Sequence, residues 1–333
     1  MGETMRAMVL DNFGGPEVLH MAEIERPRAA PGNVVVQVAY ASVNPADWKA
    51  REGWLSRYFQ YQFPFVVGFD AAGIVAEVGE GVTDLKVGDR VVTASNQGLG
   101  ERGSYAEYVA SAVERCVKLP DHVSLIDAAA MPTAAITAYE ATFDVGGAKD
   151  GATVLVNGGA GGTGSYAIQL AKMAGARVAA TCGPANMDYV RSLGADVAIN
   201  YREGNVGDAV RAWAPGGVDL VVDTVGQGTL LEAVEFTRNG GVIAPIGTLV
   251  PNEPTIDPAR AEALGVRVVP TISSHINQPR QLRALVAALA DGKIRAPEIT
   301  IMPLDQAGAA HAKVQDGHVR GKIVLEVNSA IGR

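Results

Sequence analysis

The chain has 333 residues, of which 48% are apolar and 19% charged, with a formal net charge of −8 at pH 7. That length suits two domains with sizeable cores rather than one, and the acidic balance argues against a phosphate-backbone partner such as nucleic acid. No apolar signal segment opens the chain, no run of about 18 apolar residues is present to cross a membrane, and Cys116 and Cys182 lie too far apart in sequence to read as a disulfide framework, which points to a reducing, cytoplasmic setting.

Residues 5 to about 125 read as mainly β. Val34, Val36 and Val38 alternate with other residues over Val34 to Ala39, Gly73 to Gly79 reads as another strand bounded by glycines, and Lys86-Val87-Gly88-Asp89 places a turn before Arg90-Val91-Val92. Dense turn residues in this half suit a small barrel. From about residue 126 the rhythm changes to strands separated by helical patterns, the spacing of a parallel sheet. Six strands are expected, at Thr153–Asn157, Arg177–Thr181, Asp196–Asn200, Asp219–Asp223, Val242–Ile246 and Arg267–Ile272. Pro279 to Asp291 then reads as a helix, with Leu282, Leu285, Val286 and Leu289 on one face. Gly321 to Val327 reads as a last strand that returns to the first domain.

The most informative stretch joins the first of those six strands to a helix. After Thr153–Asn157 come Gly158-Gly159-Ala160-Gly161-Gly162-Thr163-Gly164, in which Gly159, Gly161 and Gly164 form G-x-G-x-x-G. Such a turn between a strand and a helix suits a dinucleotide pyrophosphate. The first glycine permits the tight turn, the second lets backbone approach phosphate, and the third lets helix pack on strand. The free N–H groups and the positive helix end then face the anion.

Several segments resemble the medium-chain dehydrogenase/reductase superfamily: Phe13 to Leu19, Val43-Asn44-Pro45-Ala46-Asp47, Gly68 to Gly73, Val87 to Val91, Gly103 to Tyr108 and Gly321 to Leu325. The resemblance covers nearly the whole chain and is to the zinc-free quinone oxidoreductase branch, which includes zeta-crystallin and plant enone reductases. It implies an α/β protein: a GroES-like β-barrel catalytic domain at 1–125, with 276–333 returning to it, and a doubly wound Rossmann domain at 126–275. Zinc alcohol dehydrogenases place a cysteine where this chain has Asn44 and a His-Glu pair where it has Phe69-Asp70, and their four-cysteine structural lobe is missing. No first shell for Zn²⁺ remains. The five histidines, at 20, 122, 275, 311 and 318, do not cluster at ligand spacing and read as surface or locally bonded residues.

Without a metal the reaction falls to acceptors that are already electrophilic, quinones or α,β-unsaturated carbonyls, with hydride from a reduced nicotinamide. The resemblance places the reaction site at Asn44 to Lys49. Asn44 would hold the nicotinamide ribose or a substrate oxygen, Lys49 would stabilise the developing enolate, and Asp47 would set the orientation or pKa of Lys49. The plainer reading puts Lys49 and Arg51 on a solvated helix face and Asp47 at a helix cap. Trp48, Trp54, Tyr58, Tyr61 and Phe69 would line a flat acceptor, or pack under a loop, in a chain only 6% aromatic.

NADPH is the expected cofactor, with NADH the alternative. The second strand ends Ala180-Thr181-Cys182-Gly183 without the acid that would bind a ribose 2′-OH. The family lysine expected shortly afterwards is replaced by Met187, beside Asn186, whereas Tyr201 and Arg202 resemble the family's phosphate pocket. The implied cofactor contacts are Thr137, Gly159, Gly161, Gly162, Thr163, Gly164, Gly183, Asn186, Tyr201, Thr224, Val225, Gly226, Ile246, Gly247 and Ser273. Arg320 and Lys322 would reach in from the tail unless they form surface ion pairs. Asp223 reads as a strand-end acid bonded to local backbone. Relatives pair through the edge of the nucleotide sheet, here Arg267–Ile272, which implies a homodimer. Two other readings stay open: a nucleotide-binding structural or regulatory protein of the same fold, and an enoyl reductase of a biosynthetic pathway.

Overall fold

A computed structural model describes residues 2–95, 97–250, 252–271 and 277–331. The chain divides into two units, one of residues 1–133 and 275–333, the other of residues 134–274.

The first unit is organised by the strand Asn33–Val43. Its sequence, NVVVQVAYASV, is dense in β-branched residues, which favour extended backbone. Val35 is as fully buried as Val34, Val36 and Val38, so the strand is covered on both faces and is not simply alternating. It pairs antiparallel with Asp70–Val78, Tyr108–Ala112 and Lys322–Glu326. The seven-stranded sheet continues outward to Ile299–Pro303 on one side and to Arg90–Ala94 and Cys116–Lys118 on the other. A smaller sheet joins His20–Glu25, Thr4–Leu10 and Phe65–Val66. Gly73 is demanded by the pairing, since a Cβ there would lie 1.9 Å from the Gln37 carbonyl oxygen.

Two registers position the site. Ile323 pairs with Val43 in the returning strand, which brings Lys322 to the end of Asn33–Val43, beside Asn44. Ser42 pairs with Asp70, which brings that acid to the same edge. The helix Gln278–Ala290 buries Leu282, Leu285 and Val286 as its pattern predicts. The helix Ala307–Gln315, not foreseen from the sequence, buries Ala307, Ala310 and His311.

In the second unit all six strands run parallel, in the order Val197–Asn200, Arg177–Cys182, Thr153–Asn157, Val218–Asp223, Thr237–Pro245, Arg267–Val268. This is the dinucleotide-binding strand order, with its reversal beside the first strand. The fifth strand starts earlier than predicted, because Thr237 pairs with Val218 before a register break. The sixth is shorter, with one further bridge between Ile246 and Thr271. The predicted strand end at Ile272 and the predicted contact Ser273 lie outside the described residues. The core under this sheet gathers Leu155, Ala179, Val221, Phe236 and Ile243.

Candidate active site

Asn44 precedes the short helix Pro45–Arg51 and is buried. Its side-chain amide is held from both ends. Oδ1 accepts from Lys322 Nζ at 2.6 Å, and Nδ2 donates to Asp70 Oδ2 at 2.9 Å. Asp70 is saturated: Ser42 Oγ donates to Oδ2 at 2.8 Å, and Thr133 donates to Oδ1 from its N–H at 3.0 Å and its hydroxyl at 2.6 Å. Lys322 Nζ also donates to the Val43 carbonyl at 2.9 Å. Burial pulls the Lys322 ammonium below the usual lysine range, and the charges of Asp70 and Asp47 oppose that pull.

Asp47, fully buried, accepts the Asn44 backbone N–H at 2.7 Å, as an acid three residues into a helix can. It also accepts from Gln97 Nε2 at 3.3 Å and from the Tyr105 hydroxyl at 3.2 Å. Burial, then the nearby Asp70 charge, pushes its carboxyl up to about 7. The acid predicted to orient Lys49 therefore engages Asn44, Gln97 and Tyr105, and the cation whose charge bears on it is Lys322.

Behind Tyr105 the network continues. The His311 ring lies with Nε2 at 3.2 Å from the Tyr105 hydroxyl and Nδ1 at 3.4 Å from Arg51 Nη1. Arginine only donates, so Nδ1 accepts and Nε2 carries the hydrogen. The chain of donors then runs from Arg51 through His311 and Tyr105 to Asp47. Burial, then the Arg51 charge, drives the His311 pKa down to about 3, so the ring is neutral. Burial and the Asp47 charge raise the Tyr105 phenol well above its ordinary value. Arg51 is fully buried and is further bonded to the Gly14 carbonyl, Glu52 and Gln315.

Three sequence readings are corrected here. Lys49 and Arg51 are not on a solvated face: their exposures are 7% and 0%, and Arg51 is covered by helix Ala307–Gln315, where it meets His311 and Gln315. His311, read as a surface or local residue, is fully buried. Lys322, offered as a surface ion pair or a cofactor contact, is buried, which overturns the surface pair, and its ammonium donates to Asn44, whereas Arg320 forms the surface ion pair foreseen as its alternative, with Glu298 at 2.7 Å. Lys49 Nζ stands 5.2 Å from the Trp48 ring centroid, and Trp48 meets Trp54 edge to face at 5.1 Å. Tyr61 is a packing residue. It touches Phe13, Phe63 and Phe65, and its hydroxyl donates to the Ala50 carbonyl at 2.9 Å. Phe69 packs on Phe59, and Tyr58 is exposed.

In the second unit the glycine turn divides its work differently from the prediction. The tight turn falls on Gly158, at φ +81°, not on Gly159. Gly159 is needed because a Cβ there would lie 2.8 Å from that of Ala180. Gly164 packs helix on strand as expected, since its Cβ would stand 2.2 Å from the Gly158 carbonyl. At Gly161 a Cβ would meet only the Gly158 oxygen, at 3.6 Å. The protein's own packing does not require a glycine at Gly161, and the open face of the turn is what an approaching pyrophosphate needs. The helix Gly162–Met173, which includes Thr163, has no side-chain N-cap, so its first N–H groups are not taken up by a capping side chain.

The strand ends are braced around this turn. Thr181 donates to Asn157 Oδ1 at 2.6 Å and accepts from Gly158 N–H at 2.9 Å. Thr224 donates to the Asn157 carbonyl at 2.7 Å. Asp223 takes the N–H groups of Val225 and Gly226, the local role read from the sequence. Gly247 donates to Thr271 and Ile246 to Asp223. Thr137 is buried in the helix Pro132–Tyr139. At the end of the second strand the Tyr201 hydroxyl lies 3.5 Å from where a Gly183 Cβ would be, and the Arg202 guanidinium sits 5.7 Å from the Tyr201 ring centroid. Asn186 closes the adjoining turn Pro184–Asn186.

Comparison with known proteins agrees with the fold of both units. Residues 30–121 match the alcohol dehydrogenase GroES-like domain and residues 193–325 the zinc-binding dehydrogenase family. The chloroplast envelope quinone oxidoreductase homolog of Arabidopsis thaliana is 33% identical, over 98% of this chain and 99% of the relative. The chain belongs to the quinone oxidoreductase branch of the medium-chain dehydrogenase/reductase superfamily. A quinone oxidoreductase structure from Coxiella burnetii superposes with a TM-score of 0.84 at 31% identity, covering 98% of this chain and all of the other. The NADPH-dependent alkenal/one oxidoreductase of Arabidopsis thaliana, a chloroplastic protein, is 32% identical over 96% of this chain and 79% of its own length. As a member of that branch the chain is an oxidoreductase. The family description names zinc, but the donor set does not fit it. An amide and a phenyl ring stand at two ligand positions, and the third, Asp70, already accepts four hydrogen bonds counting both from Thr133. Among the described residues no group of three or more His, Cys, Asp or Glu is placed to hold a metal, and no helix is long and apolar enough to cross a membrane.

Proposed function

We propose that this oxidoreductase is an NADPH-dependent, zinc-independent reductase of quinones or α,β-unsaturated carbonyls. The observation that carries the reading is the Asn44 amide, whose oxygen accepts from an ammonium and whose nitrogen donates to a carboxylate, so that its orientation is fixed and its second Nδ2 hydrogen is left to donate to a ligand. A donor fixed in a buried, low-dielectric site suits an oxygen on which negative charge develops, and needs no reorganisation to do so. Conjugated acceptors need this much help, whereas a simple carbonyl needs stronger polarisation, from a Lewis acid or a general acid. The relatives named for quinones and for alkenals point the same way.

The glycine turn and the uncapped helix start would hold the pyrophosphate, and Tyr201 and Arg202 the 2′-phosphate. The bound nicotinamide supplies the hydride. Asn44 orients the acceptor oxygen and binds it more tightly as charge grows. Lys49, buried beside Trp48, adds positive potential in the same helix, and the Trp48–Trp54 pair offers an aromatic face. We place the protein in a reducing compartment, working as a homodimer; the buried free thiols of Cys116 and Cys182 fit the former. The test is consumption of NADPH by chelator-treated protein with a panel of quinones and enones. Turnover of conjugated acceptors and none of simple alcohols or aldehydes is expected; loss of all turnover on metal removal overturns the proposal.

A further inference from the structure

We propose that Lys322 is a positioning residue for hydride transfer: its ammonium, seated behind Asn44, locks the Asn44 amide as a donor and lends that donor positive charge. This rests on the reading of Asn44 as the partner of the acceptor oxygen.

The geometry allows one amide orientation. An ammonium has only donors and an ionised carboxylate only acceptors. Turning the amide over would set NH₂ against Nζ and Oδ1 against Asp70, replacing two charge-assisted bonds of 2.6 and 2.9 Å with two repulsions. Nζ is anchored a second time on the Val43 carbonyl at 2.9 Å, so it cannot follow the amide round. Asp70 is equally fixed by Ser42 and Thr133. One Nδ2 hydrogen goes to Asp70, which leaves the second for a ligand.

The cation also polarises what it holds. Lys322 is 4% exposed, so water screens its field little. Charge drawn toward Oδ1 leaves Nδ2–H a stronger donor, as linked hydrogen bonds do in a low dielectric. Asn44 thereby presents to an acceptor part of a positive charge that stays out of contact with it. The register between Lys322–Glu326 and Asn33–Val43 makes this possible, by joining residues 278 positions apart.

A double-mutant cycle on kcat tests it, with NADPH affinity followed by fluorescence and the Asn44 side-chain amide by nitrogen-15 NMR. Lys322→Met is expected to lower kcat about 10²-fold, leave NADPH affinity within about twofold, and shift the Asn44 amide resonance. In an Asn44→Ala background the same change should lower kcat by less than about threefold, because its effect passes through the amide. Lys322→Gln keeps donors without the charge, so it serves where Lys322→Met does not fold and should lose kcat to a similar extent. Equal losses in both backgrounds, or full kcat in Lys322→Gln, overturn the proposal. A wild type that consumes no NADPH with any acceptor overturns the functional reading instead, and an Asn44 resonance unmoved in Lys322→Met then overturns the locking as well.

Discussion

Around Asn44 the protein supplies its own hydrogen-bond partners, while at the turn after Thr153–Asn157 it leaves backbone donors open. The first region joins Asn33–Val43, Asp70–Val78, Lys322–Glu326 and two helices, and nearly all its polar groups are buried and paired. The second is a continuous stretch whose glycines remove side chains. Order in the first comes from charged groups that specify one another's orientation; in the second it comes from backbone brought close to backbone. A preorganised donor and an open anion cradle are different solutions, and they fail differently when altered.

Four expected outcomes separate them, from the largest effect to the smallest. Asn44→Ala should lower kcat with a conjugated acceptor about 10²-fold, with NADPH affinity nearly unchanged; steady-state kinetics beside a binding titration would expose any other division. Within the glycine turn, Gly164→Ala drives a methyl to 2.2 Å from the Gly158 oxygen and should cost about 2 kcal/mol of stability in a urea titration. Gly161→Ala, where the nearest atom is 3.6 Å away, should fold as well as the parent yet bind NADPH more weakly. Matching losses of stability in the two would erase the distinction between packing glycine and ligand glycine.

The third concerns pH. His311 is neutral in the fold, its pKa depressed from 6.5 to about 3, so its burial lowers stability as pH falls from about 6.5 toward 3. Asp47 acts in the opposite sense. Its pKa is raised from 3.8 to about 7, so its contribution is complete below about pH 4 and is lost as pH rises through 7. Between these limits the two slopes oppose each other in the wild type. His311→Asn removes one of them, and its destabilisation should shrink by about 1.4 kcal/mol per pH unit as pH falls from 6.5. A penalty constant with pH, measured by urea midpoints, would show that the ring is not held neutral. The smallest effect is that of Arg202→Ala, which should raise the KM for NADPH about tenfold and leave that for NADH unchanged.

What could be read in advance follows the same divide. The six strands, the glycine turn and the returning tail are written in neighbouring residues, and local periodicity and turn chemistry were enough to find them. Even there the tight turn was placed one residue late, on Gly159, because a positive φ and a close approach call for the same residue type. The Asn44 network was legible only in part. Asn44, Asp47 and Lys49 are assigned to the site through resemblance; Asp70 enters only as a replaced zinc position and Tyr105 only within a resembling segment, and Gln97, His311 and the buried role of Arg51 carry no such signal. Arg51 meets His311 across 260 positions, and no spacing rule links residues so far apart. One signal was available: His311 lies in Ala-Gly-Ala-Ala-His-Ala, and small residues on a helix predict close packing that would bury a ring among them.

The most direct measurement is NADPH consumption by chelator-treated protein, with metal content measured on the same sample and a quinone and an enone offered as acceptors. The account predicts full turnover of at least one of them by protein free of zinc. Activity that appears only when Zn²⁺ is restored, or no oxidation of NADPH by either acceptor, would contradict it.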